Sequence, residues 1–321
     1  MNDRLIPNIR TVFRPTRNMA AAIAVIAALS HAGATAQEPV ATEDVITIAP
    51  LFEYPIAPEG LSNLQDKAEW LVEHFWDNLD TKSKATVDQH ALNNAFSVWV
   101  TPMQWASKEK VSASVDALLK RVAKNPTLLL QLTKAAEDNI YDVNRAGMLI
   151  DEVYVKFAES VAQNKKIDNL RKTRYKEQAR KLAATMPGEV PPSFSFTATN
   201  GEEKEYRPMS TFTIIEFGDP TCEDCRMAKL KMDVSLPLGE LVEKGKVNIL
   251  FILPDKREGW EEELSGYPER WKVGAAEDVD DIYDIRLTPT FYTIGSDGRI
   301  LSKNITVERA IEEAISSNSQ N

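Results

Sequence analysis

The stretch Ile215-Glu216-Phe217-Gly218-Asp219-Pro220-Thr221-Cys222-Glu223-Asp224-Cys225-Arg226 decides how the rest of the chain is read. Thr211–Phe217 is a continuous β-prone run, the pattern of a strand buried on both faces. The chain then leads through a turn into Glu223–Leu236, which reads as a helix. Both cysteines therefore fall at the first turn of a helix fed by a buried strand. Unpaired backbone N–H groups at that end favour a thiolate on Cys222 and lower its pKa. Two intervening residues make about one helical turn, so the two sulfurs come within bonding reach. A pair placed this way suits disulfide exchange, with Cys222 attacking and Cys225 resolving the mixed disulfide.

Downstream, Val247–Leu253 is another buried strand. Residues 254–285 are mixed, with helices expected at Glu258–Leu264 and near Val279–Tyr283. Thr290–Ile294, a Ser296-Asp297-Gly298 turn and Arg299–Lys303 form a hairpin, and Val307–Ser316 closes as a helix. Upstream, Ser193–Thr199 puts Phe194 and Phe196 on one face, and Asn200-Gly201 predicts a hairpin turn with both central residues at positive φ. Strands alternating with helices give a mixed sheet flanked by helices.

These elements resemble the thioredoxin superfamily, in particular its exported TlpA- and ResA-like branch, over about residues 190–318. The resemblance rests on the strand-to-helix C-x-x-C, on Thr288-Pro289-Thr290-Phe291 just before a strand, and on the terminal hairpin and helix. It implies a cis Pro289 in a loop facing the cysteines, with Thr288 and Pro289 forming the substrate loop. It also implies that Glu216 matches the family's buried acid. A carboxyl buried there has a raised pKa and serves as proton acceptor for Cys225. The plainer alternatives are a strand carboxylate that reaches solvent and a trans proline at a strand entrance. The chain departs from the family pattern in lacking a tryptophan before Cys222 and in having Glu223-Asp224 between the cysteines. Two carboxylates there oppose the helix dipole and predict a reducing couple, near or below about −270 mV, with Asp219 adding to the effect.

Further out, Met186-Pro187-Gly188-Glu189-Val190-Pro191-Pro192 breaks any helix and marks a short stiff linker. Before it the period is helical. Leu61, Leu64, Ala68, Leu71, Phe75 and Leu79 form one apolar stripe. Further helices are expected over Val87–Trp99, over Val111–Val122, from Pro126, over Leu149–Val161 and, with basic character, over Lys166–Ala184. Trp70, Phe75, Trp76, Trp99 and Trp105 read as packing residues, with a partner surface as the alternative. This region weakly resembles the helical segment that precedes TlpA-like domains in some exported bacterial proteins; dimerisation, substrate presentation and spacing all remain open for it.

At the N-terminus, Arg4, Arg10, Arg14 and Arg17 precede the apolar run Met19–Leu29 and the triad Ala34-Thr35-Ala36. That is the order of an export signal cut before Gln37; retention as an anchor is the alternative. The expected organisation is a signal at 1–36, an extended proline-bearing lead-in at 37–59, a helical domain at 60–186 and a thioredoxin-like domain at 187–321.

The chain has 321 residues, more than one domain usually needs, and 43% hydrophobic with 27% charged residues argues against global disorder. Formal net charge is −10; residues 1–36 hold four arginines against Asp3, so the remainder stands at −13. Such a body repels phosphate backbones, so nucleic acid is excluded as a partner class. The chain has only two cysteines, both in one C-x-x-C, which points to reaction rather than to staples. A structural zinc needs four ligands, and His74 and His90 lie in the helical region, away from the motif.

The resulting expectation is an exported, periplasmic thiol–disulfide oxidoreductase with no cofactor beyond the redox-active Cys222–Cys225 pair. Its partners would be thiols and disulfides of exported proteins and a membrane electron donor, with self-association through the helical domain also open. Trp260 and Trp271 are expected to flank the substrate groove. Two other readings stand beside this one: a scaffold holding a client through the helical domain, and a copper(I) carrier using the dithiol with Met227 nearby.

Overall fold

The computed structural model describes residues 49–319, so the expected signal and residues 37–48 of the lead-in lie outside it. The chain divides into two compact units between Lys176 and Glu177.

The first unit is helical: α1 (Leu64–His74), α2 (Gln89–Val100), α3 (Lys108–Val122), α4 (Pro126–Ile140), α5 (Asp151–Gln163) and the start of α6 (Asn169–Ala184). Several of its helices begin where a side chain satisfies an orphan N–H group. Asn63 accepts from the Asp66 amide, Asp88 from Ala91 and Asn125 from Leu128. Pro126 occupies the first turn of α4, where its missing N–H has no helical acceptor to lose. The core is aromatic: Phe96, Trp99, Tyr154 and Phe157 are fully buried, and the Trp99 indole donates to the Val72 carbonyl at 3.0 Å. Phe75 and Trp76 are buried too, and the rings of Phe52 and Tyr54 pack against Phe75, so the end of the lead-in is anchored.

The second unit is a seven-stranded mixed sheet. In chain order it holds β1 (Phe194–Ala198), β2 (Glu203–Tyr206), β3 (Phe212–Phe217), α7 (Glu223–Asp233), α8 (Leu236–Glu243), β4 (Val247–Leu253), α9 (Trp260–Leu264), β5 (Lys272–Ala275), α10 (Val279–Ile282), β6 (Thr290–Ile294), β7 (Ile300–Lys303) and α11 (Val307–Ser319). Strand order is β2-β1-β5-β4-β3-β6-β7, with β3, β4 and β5 parallel. β3 is central and its six residues are all buried. Alternation sends Ile215 and Phe217 to one face, with Phe194, Tyr283 and Tyr292. Phe212 and Ile214 go to the other face, beneath Ala228 and Met232 of α7 and Ala310 and Ala314 of α11. Glu216 shares that second face.

Two local expectations are corrected, and two further features are visible only in the structure. At Asn200-Gly201 only Gly201 takes a positive φ (81°). Gly201 donates to Ala198 and Ala198 to Glu202, giving a three-residue loop closed by a left-handed glycine instead of a two-residue turn. The helix after the cysteines ends at Asp233, because Pro237 lacks the N–H that would extend it, and α8 restarts behind Ser235. Residues 188–189 are no free linker: Gly188 donates to Ile300, and Ile300 donates to Glu189. β5 carries too short an apolar signal to be read from sequence. Its Gly274 is dictated by close approach, since a Cβ there would run into the Thr197 carbonyl.

Candidate active site

β3 delivers the chain to the site, and each position of the following turn has a separate job. Gly218 donates to Ile252 on β4 (3.1 Å). A Cβ at Gly218 would stand 2.8 Å from the Phe251 ring and 3.2 Å from both Cys225 Sγ and Glu216 Oε1, so only glycine fits without displacing them. Asp219 is the hub. Its carbonyl accepts from the Cys222 N–H (3.0 Å), its own N–H donates to Cys225 Sγ (3.4 Å), and its carboxylate accepts from the Thr221 N–H and hydroxyl (2.7 Å each).

Cys222 sits at the N-cap of α7 with extended backbone (φ −72°, ψ 132°) and is partly exposed. Cys225, one turn on, is fully buried, and both thiols are unbonded. This asymmetry separates a sulfur that can meet a client from one that meets only its neighbour. Burial pushes the Cys225 thiol far up; the Asp219 N–H opposes that shift, and Cys222 and Glu216 reinforce it.

Glu216 is completely buried, and neither carboxylate oxygen has a hydrogen-bond partner. Burial raises its pKa well above the usual carboxylate range, and Cys222 adds to the rise. Because Glu216 Oε1 and Cys225 Sγ flank the same point beside Gly218, the acid lies within a water's reach of the buried sulfur. In its ionised form a carboxyl there can take the proton of Cys225.

The Thr288–Pro289 peptide is cis, and the Thr288 carbonyl accepts from Cys222 Sγ at 3.7 Å. Cys222, Cys225, Glu216, Thr288 and Pro289 are thus brought together from β3, α7 and the loop before β6. Thr288 and Leu287 are exposed on that loop. Just behind them, Asp284 is buried in ion pairs with Arg286 (2.7 Å) and Lys303 (3.1 Å).

The tryptophans expected at the groove are core instead: Trp260 and Trp271 are 2% and 6% exposed, packed on Leu264 and on the β4 and β5 side chains. Two residues that sequence reasoning passed over take their place near the centre. Arg257 forks onto Asp219, Nη1 to Oδ2 and Nη2 to Oδ1 at 2.9 Å each, and also pairs with Glu263. Asp219 therefore does not act on the dithiol as a bare negative charge, as its sequence position suggested. Hydrogen bonds from Arg257, working against burial and helped by Thr221, hold its pKa at about 2. Tyr267 packs against Phe251 with the rings tilted and their centroids 4.4 Å apart, beneath the Lys229 ammonium, and its buried hydroxyl lacks a partner. Both residues come from the 254–271 segment, where no spacing links them to the cysteines. Among the described residues, no cluster of three or more His, Cys, Asp or Glu side chains forms a metal cradle, and no helix is long and apolar enough to cross a membrane.

A family model described as a domain of unknown function, DUF5106, matches residues 28–184. No curated protein matches the chain. Among solved structures, a thioredoxin-like protein from Bacteroides caccae is 20% identical with a TM-score of 0.70, over 84% of this chain and 99% of that one. A conserved protein of unknown function from Bacteroides fragilis is 29% identical, over 40% of this chain and 98% of that one, with a TM-score of 0.38. The thioredoxin domain of a thiol-disulfide oxidoreductase from Bacteroides vulgatus is 17% identical, over 40% and 98%, with a TM-score of 0.36. The likeness to the Bacteroides caccae protein shows the fold: a thioredoxin-like mixed sheet flanked by helices, preceded in the chain by a helical region.

Proposed function

We propose that the chain is an exported thiol–disulfide oxidoreductase that reduces or exchanges disulfides in exported proteins. The observation that carries this is the pairing of a partly exposed Cys222 at a helix N-terminus with a buried Cys225 whose neighbour is an unpartnered buried acid. A scaffold needs neither the asymmetry of the two sulfurs nor an unneutralised carboxyl beside them. In this reading residues 1–36 direct export and are removed near Ala36/Gln37, and the helical domain precedes the catalytic one.

The steps balance as follows. The Cys222 thiolate attacks a client disulfide, forming a mixed disulfide and releasing one client thiolate. The ionised Glu216 carboxylate takes the proton of Cys225, and the resulting thiolate attacks Cys222 Sγ. The Cys222–Cys225 bond forms, the second client thiolate leaves, and two electrons have passed to the client. A dithiol-class donor at the membrane returns them. Thr288 and Pro289 line the loop against which an extended client segment would lie. Glu223 and Asp224 set two exposed, partly screened carboxylates between the cysteines. Negative charge beside the dithiol favours the uncharged disulfide and so a reducing couple.

The test is a redox titration of the Cys222–Cys225 couple in the mature chain against glutathione and dithiothreitol. The expected potential lies well below about −180 mV, near or below about −270 mV. A value near roughly −120 mV would make the protein an inserter of disulfides. A pair that does not cycle would replace the enzyme with a client-holding scaffold.

A further inference from the structure

We propose that Arg257 is a positioning residue for the resolving half of the exchange, holding the Asp219 carboxylate so that the Asp219 N–H stays on the Cys225 sulfur. This rests on the dithiol reading above. Six bonds meet at Asp219. Its side chain is gripped at both oxygens by the Arg257 fork, and Oδ1 also takes the Thr221 amide and hydroxyl. Its main chain is tied at both ends to the dithiol, the carbonyl to the Cys222 N–H and the N–H to Cys225 Sγ. A bidentate guanidinium fixes a carboxylate in plane and direction, which a point charge does not. The loop's orientation toward Cys225 is therefore set from the 254–259 segment, outside the motif itself. Glu263 pairs with Nη2 of the same guanidinium.

The chemistry at stake is the Cys225 thiolate. It must form at a site where burial opposes charge and where Glu216 from β3, Cys222 from α7 and Tyr267 beyond α9 add negative or polarisable neighbours. The Asp219 N–H is the group that favours the charged sulfur. Arg257 has a second effect: its charge offsets that of Asp219, which would otherwise stand as an uncompensated anion beside both sulfurs. Loss of the clamp removes a donor and uncovers a negative charge. Both changes make the resolving thiolate harder to form, whereas at Cys222, partly exposed at the helix end, solvent screens the added charge.

Reduced full-length chain would be mixed with 5,5′-dithiobis(2-nitrobenzoate), which releases one coloured thiolate as Cys222 is captured and a second as Cys225 attacks Cys222 Sγ. The second phase is resolution, and the first is an internal control for folding. Arg257→Met is expected to slow the second phase about tenfold at neutral pH and to move its pH midpoint up by about one unit, with the first phase as in the parent. Arg257→Lys, which keeps the charge without the fork, falls between. An Arg257→Met second phase with the parent's rate, or slowed with an unmoved pH midpoint, overturns the assignment. If the parent releases a single equivalent and stops, the dithiol reading fails first, and the role of Arg257 falls with it.

Discussion

The helical unit and the thioredoxin-like unit each bury acids, and they treat them in opposite ways. In the helical unit Glu137 is met by Lys134 (3.1 Å) and Arg174 (2.9 Å). Its neighbour Asp138 is met by Lys134 (2.7 Å), Arg145 (2.9 Å) and the Asn93 amide (3.2 Å). Burial works against ionisation of Asp138, but those partners outweigh it and its pKa falls. In the other unit Glu216 is more deeply buried, has no partner at either oxygen, and its pKa rises. The rest of that unit does not share this neglect, since Asp284 and Asp219 are both clamped by cations. An acid whose role is architectural is neutralised by the fold, because an unpaired buried charge is costly. One left alone beside a buried thiol costs the fold stability, a cost that the proposed role of proton acceptor would account for.

The largest effect that would break this comparison lies at Glu216. Glu216→Gln removes the proton acceptor and is expected to slow resolution about 10²-fold in the two-phase release assay. Stability should move the other way. A carboxyl with a raised folded pKa holds its proton in the native state after the unfolded chain has released it, above about pH 4.3. Parent stability therefore declines as pH rises from there through the folded value, and the glutamine chain escapes that decline. Denaturant unfolding should show Glu216→Gln more stable by about 1–3 kcal/mol at pH 8, converging with the parent near pH 4. A variant less stable at every pH would mean that Glu216 is structural like Asp138.

Much of this contrast was legible in the sequence on one side and little on the other. The strand run at 211–217, the C-x-x-C and Thr288-Pro289 are local patterns, and the residues they name do converge. Helix periods and caps such as Asn63, Asp88 and Asn125 are local as well. Arg257 and Tyr267 reach the centre only through tertiary packing of a segment with no period of its own. The short β5 and the Pro237 break show the same limit at the level of elements. Trp260 and Trp271 mark the converse error: a large aromatic near a site in sequence is core more often than groove. The pairing of Glu137 and Asp138 joins α4 to residues on α2, α6 and the loop after α4, which no single window contains.

A smaller effect sharpens the helical side. Lys134→Met removes one cation from two buried acids, but Arg174 and Arg145 remain. Because Lys134 is itself partly exposed, the cost should be about 1–2 kcal/mol, below that of a fully buried pair. Urea unfolding at neutral pH measures it, and both phases of thiolate release should keep the parent's rates. A change in the second phase would show that the helical unit influences the dithiol, and the division between architectural and chemical acids would no longer follow the two units.

The smallest effect separates two acids three positions apart in sequence, Glu216 on β3 and Asp219 in the turn that follows. Asp219 is held at about 2 by Arg257, against about 3.9 for an unfolded aspartate. A depressed folded pKa gives stability that is complete above the unfolded value and is lost as pH falls through the folded one. Its pH dependence thus has the sign opposite to that of Glu216. Both side chains of the ion pair are about a third exposed (31% for Asp219, 30% for Arg257), so solvent screening limits the gain to less than about 1 kcal/mol. The advantage of the parent over Asp219→Asn should therefore be constant from pH 7 to pH 5 and shrink between pH 4 and pH 2. An advantage that persists undiminished at pH 2 would show that it does not come from the carboxylate's charge, and would leave Arg257 without its grip on the loop.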